Sequence, residues 1–192
     1  MNHDSYDDRT IRGILNTVKT IAVVGVSPKV VRPSYFVFKY LLERGYRMIP
    51  VNPGQAGGEL LGQQIYATLA DIPEPIDMVD IFRNSDAAFG VVQESLALDP
   101  KPAVIWMQLG VRNDAAAKLA EDAGVKVVMN RCPKIEYGRL SSEISWMGVN
   151  SRTLSSKRAA LGKGIQRLSL QRETLAGGTT EATLRAARDG DA

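Results

Sequence analysis

From about residue 20 to residue 140, short apolar runs alternate with segments whose apolar positions recur at helical spacing. That alternation is the signature of β-α-β units closing into a parallel sheet. The pattern predicts a helix over 8–17, a strand over 20–26, a helix over 34–44 closed by Gly45 in left-handed geometry, and a strand over 47–51. Asn52-Pro53-Gly54 and Gly57-Gly58 read as turns, and 69–75 reads as a short turn of helix. A strand over 78–82 follows, then a helix over 85–98 with Ser85 as its N-cap and Ala88, Val91, Val92 and Leu96 on one face. The series ends with a strand over 103–108, a helix over 113–123 held between an Asn113 cap and Gly124, and a strand over 126–129.

Five strands with crossover helices on both faces make a doubly wound, mainly parallel α/β sheet of Rossmann type. Beyond Pro133 the pattern weakens to a short helix over 135–140 and then to scattered Ser, Thr and Gly. The chain therefore divides into a domain over 1–140 and a C-terminal extension over 141–192. The extension is expected to be an arm or tail lying on the domain or on a neighbouring subunit, with Ile144, Trp146 and Met147 packing back and a marginal helix over 181–188. Such an arm also offers a route to a homodimer.

Charge refines this division. Residues 1–140 carry 16 Lys/Arg and 16 Asp/Glu, and residues 141–192 carry 8 and 5, so the formal excess of +3 sits in the extension. With little aromatic interleaving, that excess reads as a solvated basic segment and not as a nucleic-acid surface. The longest apolar runs, such as Ile21–Val24 and Val125–Met129, fall far short of the roughly 20 residues a membrane span needs. The polar, acidic N-terminus lacks the layout of a secretory signal, and Cys132 is the one cysteine, so no intrachain disulfide forms. A cytoplasmic location without membrane attachment is expected.

In an open parallel sheet, ligands bind beyond the carboxyl ends of the strands. The residues there are Gly25-Val26-Ser27, Asn52-Pro53, Phe82-Arg83-Asn84, Gln108-Leu109-Gly110 and Asn130-Arg131-Cys132-Pro133. The first set carries the strongest signal. Gly25 permits close approach of a ligand to the backbone, Ser27 offers a hydroxyl, and a helix beginning near Pro33-Ser34 aims free N–H groups at the loop. Lys29 and Arg32 add positive charge where a diphosphate would lie.

An ordinary nicotinamide dinucleotide fits poorly. The loop keeps the first glycine of G-x-G-x-x-G but has Ser27 and Val30 in place of the other two. The second strand ends in Asn52-Pro53 where an acid would receive the ribose hydroxyls. A neutral end beside basic residues suits a phosphorylated ribose, which NADP and coenzyme A both carry.

Val23-Val24-Gly25-Val26-Ser27, Arg32-Pro33-Ser34, Ile49-Pro50-Val51-Asn52-Pro53, Asp80-Ile81-Phe82-Arg83, Trp106-Met107-Gln108-Leu109-Gly110 and Met129-Asn130-Arg131-Cys132-Pro133 together resemble the small stand-alone CoA-binding proteins. These are related to the CoA-binding domain of the succinyl-CoA synthetase α-subunit. The resemblance covers roughly residues 10–140. It implies that Gly25, Val26 and Ser27 contact the CoA diphosphate with Arg32 and Pro33 nearby. It further implies that Asn52 and Pro53 line the adenosine side, and that Phe82, Arg83 and the Gln108–Gly110 turn close the crevice. Arg83 has an alternative role as the ion-pair partner of Asp80 or Asp86.

Synthetase chemistry passes through a phosphorylated histidine, and the only histidine is His3, placed before the domain. Ligase activity is therefore not expected, nor is a Ser-His-Asp arrangement or a Cys/His metal cluster. Cys132 has two readings. It is a half-buried thiol packing a turn, or a thiol activated by Arg131, Lys134 and a helix start that forms a mixed disulfide with CoA under oxidation. Trp106 and Phe82 are expected in the core more than at an adenine, and Asp77, Asp80 and Asp86 as solvated or capping groups. The expectation is a non-catalytic module binding coenzyme A or an acyl-CoA. An NADP-linked oxidoreductase or redox sensor, and a structural subunit with a vestigial pocket, are its rivals.

Overall fold

The computed structural model describes residues 2–141. The expectations for the extension beyond Ser141, including the packing of Ile144, Trp146 and Met147 and the helix over 181–188, lie outside the described residues.

Helix α1 (Asp8–Thr17) leads into β1 (Thr20–Val24), α2 (Pro33–Glu43) and β2 (Arg47–Val51). A single 3-10 turn at Pro53–Gln55 and a small hairpin, β3 (Glu59–Leu60) with β4 (Gln63–Gln64), come next. Then follow β5 (Met78–Ile81), α3 (Ser85–Leu96), β6 (Val104–Met107), α4 (Asp114–Asp122), β7 (Lys126–Val128) and α5 (Pro133–Leu140). The main sheet is all parallel in the order β2-β1-β5-β6-β7, confirming the doubly wound α/β class.

Strands β5 and β6 are buried along their whole length, as a parallel sheet covered on both faces requires. One face packs Ile11, Ile14, Phe38 and Leu41 of α1 and α2 against Ile21, Val23, Met48, Trp106 and Val128, with α5 closing the side. The other packs Ala88, Val91 and Val92 of α3 and Ala116 and Ala120 of α4 against Ala22, Val79, Ile105 and Val127. Pro50 is tolerated because β2 is an edge strand, where a missing N–H breaks no ladder bond.

Three local expectations are corrected. The 69–75 stretch is turns without a helix, its one backbone hydrogen bond running from Ile72 N to Leu69 O. Two prolines, Pro73 and Pro75, leave too few amides for a helical turn. The cap of α3 is Asn84, whose side chain accepts from Ala87 N, one residue earlier than Ser85. His3, read as preceding the domain, is tied to it: its Nδ1 lies 2.9 Å from the Tyr6 hydroxyl, which accepts from Met129 N at 2.7 Å, so the N-terminal segment is fastened beyond β7. No helix among the described residues is long and apolar enough to cross a membrane.

Candidate functional site

Strand order places the site. From β1 the chain moves outward to β2, then returns past β1 to β5, so the direction of winding reverses between β1 and β5. At such a switch point the chain leaves neighbouring strands for opposite faces of the sheet, and ligands of doubly wound folds bind beyond the strand ends there. Here the two loops begin at Gly25 and Phe82.

Gly25 has φ +85°, and a Cβ there would lie 2.8 Å from Arg83 Cδ and 2.9 Å from Phe82 O. The two loops are thus in backbone contact, and only glycine admits both the conformation and the approach. Gly25 N donates to Val51 O at 2.9 Å and Phe82 N to Val24 O at 2.9 Å, so the tips of β2, β1 and β5 form one rigid floor.

The loop above this floor is held by its own polar groups. Ser27 N donates to Ser34 Oγ at 3.1 Å, Lys29 N to Ser27 Oγ at 3.3 Å, and Asn52 Nδ2 to Val26 O at 2.7 Å. Ser34, read from the sequence only as part of the helix start and of the Arg32-Pro33-Ser34 motif, is therefore a residue that shapes the loop through its side chain. It sits behind Pro33 in the first turn of α2, and its signal is a serine one turn from the glycine loop. The same bonds revise the part of Ser27, whose amide is already engaged and whose hydroxyl proton is what remains to be donated. The amides of Val26 and Ser34 have no acceptor among the described residues. Val26 is 1% exposed, its side chain packed into the core beside Val23 and Phe38.

Charge at this corner is positive and unspent. Lys29, Arg32 and Arg83 are exposed, and their side chains have no ion-pair or hydrogen-bond partner among the described residues. Arg112 by contrast is committed to Asp4 and Asp114, and Arg139 to Asp8 and Glu136. The alternative pairing of Arg83 with Asp80 or Asp86 is absent. Asp80 is wholly buried and accepts from Gln108 Nε2 at 2.9 and 3.0 Å.

That burial corrects two expectations. Asp80 is neither solvated nor capping, and loss of hydration raises its carboxyl from 3.8 to about 8 despite the Gln108 hydrogen bond. Gln108, 5% exposed, turns inward to Asp80 instead of lining the crevice. Of the other two proposed aspartates, Asp77 caps the start of β1 by accepting from Lys19 N and Thr20 N.

Cys132 is 6% exposed, and burial, with Asp80 adding to it, pushes its thiol up to about 11. The activating influence expected of Arg131 and Lys134 is outweighed, and Arg131 instead faces Glu136 at 3.7 Å. Cys132, expected to be half-buried, is buried in the cluster that holds Trp106 and Val128. Trp106 is fully buried with its indole N–H on Arg131 O, so it is a core residue, while Phe82 packs partly buried on the same core.

Gly110 and Asn130 are brought together with each other. Asn130 has φ +53°, and its Oδ1 accepts from Gly110 N at 2.8 Å, tying the β6 and β7 loops. Their strands are the second and third from β1, so β7 stands about 14 Å from it. Asn130→Ala should lower stability by about 1–2 kcal/mol, since alanine keeps neither the left-handed conformation nor the acceptor. Urea denaturation measures this, and an unchanged midpoint would remove the clamp.

Comparison with known proteins adds a family to the geometry. Residues 19–138 match the family model described as CoA binding domain. The chain is 39% identical over 127 residues to the uncharacterized protein YneT of Bacillus subtilis (strain 168), an alignment covering 66% of this chain and 91% of that one. Among solved structures, the cell-free ID.343 protein from Thermus thermophilus is 41% identical with a TM-score of 0.67, covering 70% of this chain and 99% of its own. A hypothetical protein from Pyrococcus horikoshii OT3 is 40% identical with a TM-score of 0.67, covering 72% and 94%. The family match includes every strand of the main sheet and the whole β1–α2 loop.

Proposed function

The chain belongs to the CoA-binding domain family, and from that premise we propose that it binds coenzyme A or an acyl-CoA without transforming it, at the crevice between β1 and β5. The observation that carries the reading is the contact of Gly25 with Phe82 and Arg83, in a loop whose Lys29 and Arg32, like Arg83, have no side-chain partner among the described residues. A diphosphate is the anion that such a corner suits. The Val26 and Ser34 amides and the Ser27 hydroxyl point donors at its oxygens, and the N-terminus of α2 adds its dipole. Arg32 and Arg83 supply planar donor forks and Lys29 a point charge. Asn52 and Pro53, fixed by the Asn52 bond to Val26 O, form the adenosine side.

The binding-only part rests on chemistry. Cys132 keeps its proton at neutral pH, because its thiol is raised to about 11. His3 is spent on Tyr6 and Glu121. Asp80 is sealed behind Gln108. No nucleophile activated by a base therefore faces the crevice among the described residues.

Calorimetric titration of the full chain with CoA, acetyl-CoA, NADP and NAD tests the reading. CoA or its thioester should bind at least tenfold more tightly than NADP, and NAD most weakly. Preference for NADP would transfer the site to an oxidoreductase or redox sensor. The absence of binding to all four would make the pocket vestigial.

A further inference from the structure

Asp80 lies beneath the anion corner, and the binding reading gives it no part. Val79 and Ile81 face the α3 and α4 side of the sheet, so Asp80 between them points to the opposite side. That is the side on which α2 packs and brings Ser34 to the glycine loop. In register Asp80 stands between Val23 and Trp106, and Val23 is two residues before Gly25. At about 3.3 Å per residue along a strand, the carboxyl is roughly 10 Å from an anion held at the Val26 and Ser34 amides. A wholly buried acid so close to a corner that gathers Lys29, Arg32 and Arg83 bears on what the corner can hold.

Its surroundings leave its charge to pH. Gln108, a neutral amide, is its one hydrogen-bond partner among the described residues. On α5, Cys132 is the titratable group set against it, and with its thiol raised to about 11 it stays neutral. Lys134 lies near Cys132 and over the Phe36 and Tyr40 rings, and Glu136 is held by Arg139 and faces Arg131. The charged groups within α2, Lys39 and Glu43, are exposed and face each other. With no cation to offset it, burial raises the Asp80 carboxyl to about 8. We propose that ligand binding at the crevice is coupled to Asp80: the anion is held while Asp80 carries its proton and is released as Asp80 ionises. This rests on the reading of the crevice as a CoA site. By linkage the coupling is reciprocal, so a bound diphosphate makes Asp80 harder to ionise and binding takes up a proton. Two negative charges about 10 Å away, at an effective dielectric of about 40, move its titration up by about one pH unit.

Protons are the readout. Calorimetry of the full chain with acetyl-CoA, which has no free thiol to titrate, is run in two buffers of different ionisation enthalpy. At pH 8.5 the wild type should take up about half a proton per ligand, and its affinity should fall about fivefold between pH 7 and pH 9. Asp80→Asn keeps the shape and should lose both effects. Carboxyl-carbon NMR of Asp80 in the wild type follows the same event without a substitution, and its titration should move up by about one pH unit when acetyl-CoA is added. Binding without proton uptake, equal uptake by wild type and Asp80→Asn, or an Asp80 titration that acetyl-CoA leaves in place would overturn the coupling while leaving the CoA site standing. No binding of acetyl-CoA or of CoA by the wild type at any pH would overturn both.

Discussion

Gly25→Ala should weaken ligand binding at least about 100-fold and destabilise the fold, while Gly45→Ala should only destabilise it. Both glycines have nearly the same positive φ, +85° and +87°. Alanine at either position pays the left-handed penalty of about 1–2 kcal/mol. At Gly45 a Cβ meets nothing within 4 Å, whereas at Gly25 it lands 2.8 Å from Arg83 Cδ and 2.9 Å from Phe82 O. The Arg83 side chain can swing away, but a backbone carbonyl cannot. The loops must part, at a further cost of about 1–3 kcal/mol. Parting them moves Val26, Ser27 and Arg83 out of register with one another, so CoA affinity should fall at least about 100-fold, roughly 2.7 kcal/mol. Calorimetry and urea denaturation on both variants separate the effects. Equal affinities for the two would show that the contact between the β1 and β5 loops does not shape the site.

The second large effect concerns pH. Asp80 has its carboxyl raised from 3.8 to about 8 by burial, so the folded protein holds a proton there that the unfolded chain releases. Between pH 4 and 8 the folded state binds more protons than the unfolded state, and stability from this group falls as pH rises. It is fully present below pH 4 and gone above pH 8. Gln108 suits either form, since an amide donates through Nε2 to a carboxylate and accepts through Oε1 from an acid.

Asp80→Asn keeps the shape and removes the titration. The gain of this variant over wild type should widen by several kcal/mol as pH rises from 4 to 8. Asp4 and Asp8, held below the usual carboxylate range by Arg112 and Arg139, act in the opposite sense but equally in both proteins. Parallel stability profiles for variant and wild type would show that Asp80 is ionised in the fold.

Why the architecture was legible while parts of the site were not follows from what each residue's signal depends on. The limits of α1 and β2 coincide with the expected 8–17 and 47–51, and Asn113 and Gly124 bracket α4 as read, because caps and apolar runs are local signals. Strand β1 stops at Val24 where 20–26 was expected. Val26 is apolar enough to continue the run, but the turn at Gly25 has already left the sheet. The hairpin at 59–64 went unread because its turn is Leu61-Gly62, with both φ positive, where Asn-Gly or Asp-Gly would have announced it.

The site divides in the same way. Gly25, Ser27, Lys29, Arg32 and Pro33 were expected together because one strand-glycine-helix segment defines its own geometry, and Asn52 joins that loop through its bond to Val26 O, 26 residues away. Gln108, Asn130 and Cys132 were placed at strand ends correctly, yet a strand end does not say which way a side chain turns. Gln108 turns to Asp80 and Asn130 to Gly110, partners 28 and 20 residues away in sequence. Asp80 was undervalued for the same reason, its partner Gln108 lying 28 residues away, whereas the bond of Ser34 to Ser27 N spans only seven residues within the loop.

The most direct test of the central claim is a crystal structure of the full chain grown with coenzyme A. The diphosphate should lie against the Val26 and Ser34 amides, within reach of Arg32 and Arg83, with the adenosine toward Asn52 and Pro53. Coenzyme A bound elsewhere, with the corner above Gly25 unoccupied, would contradict the account.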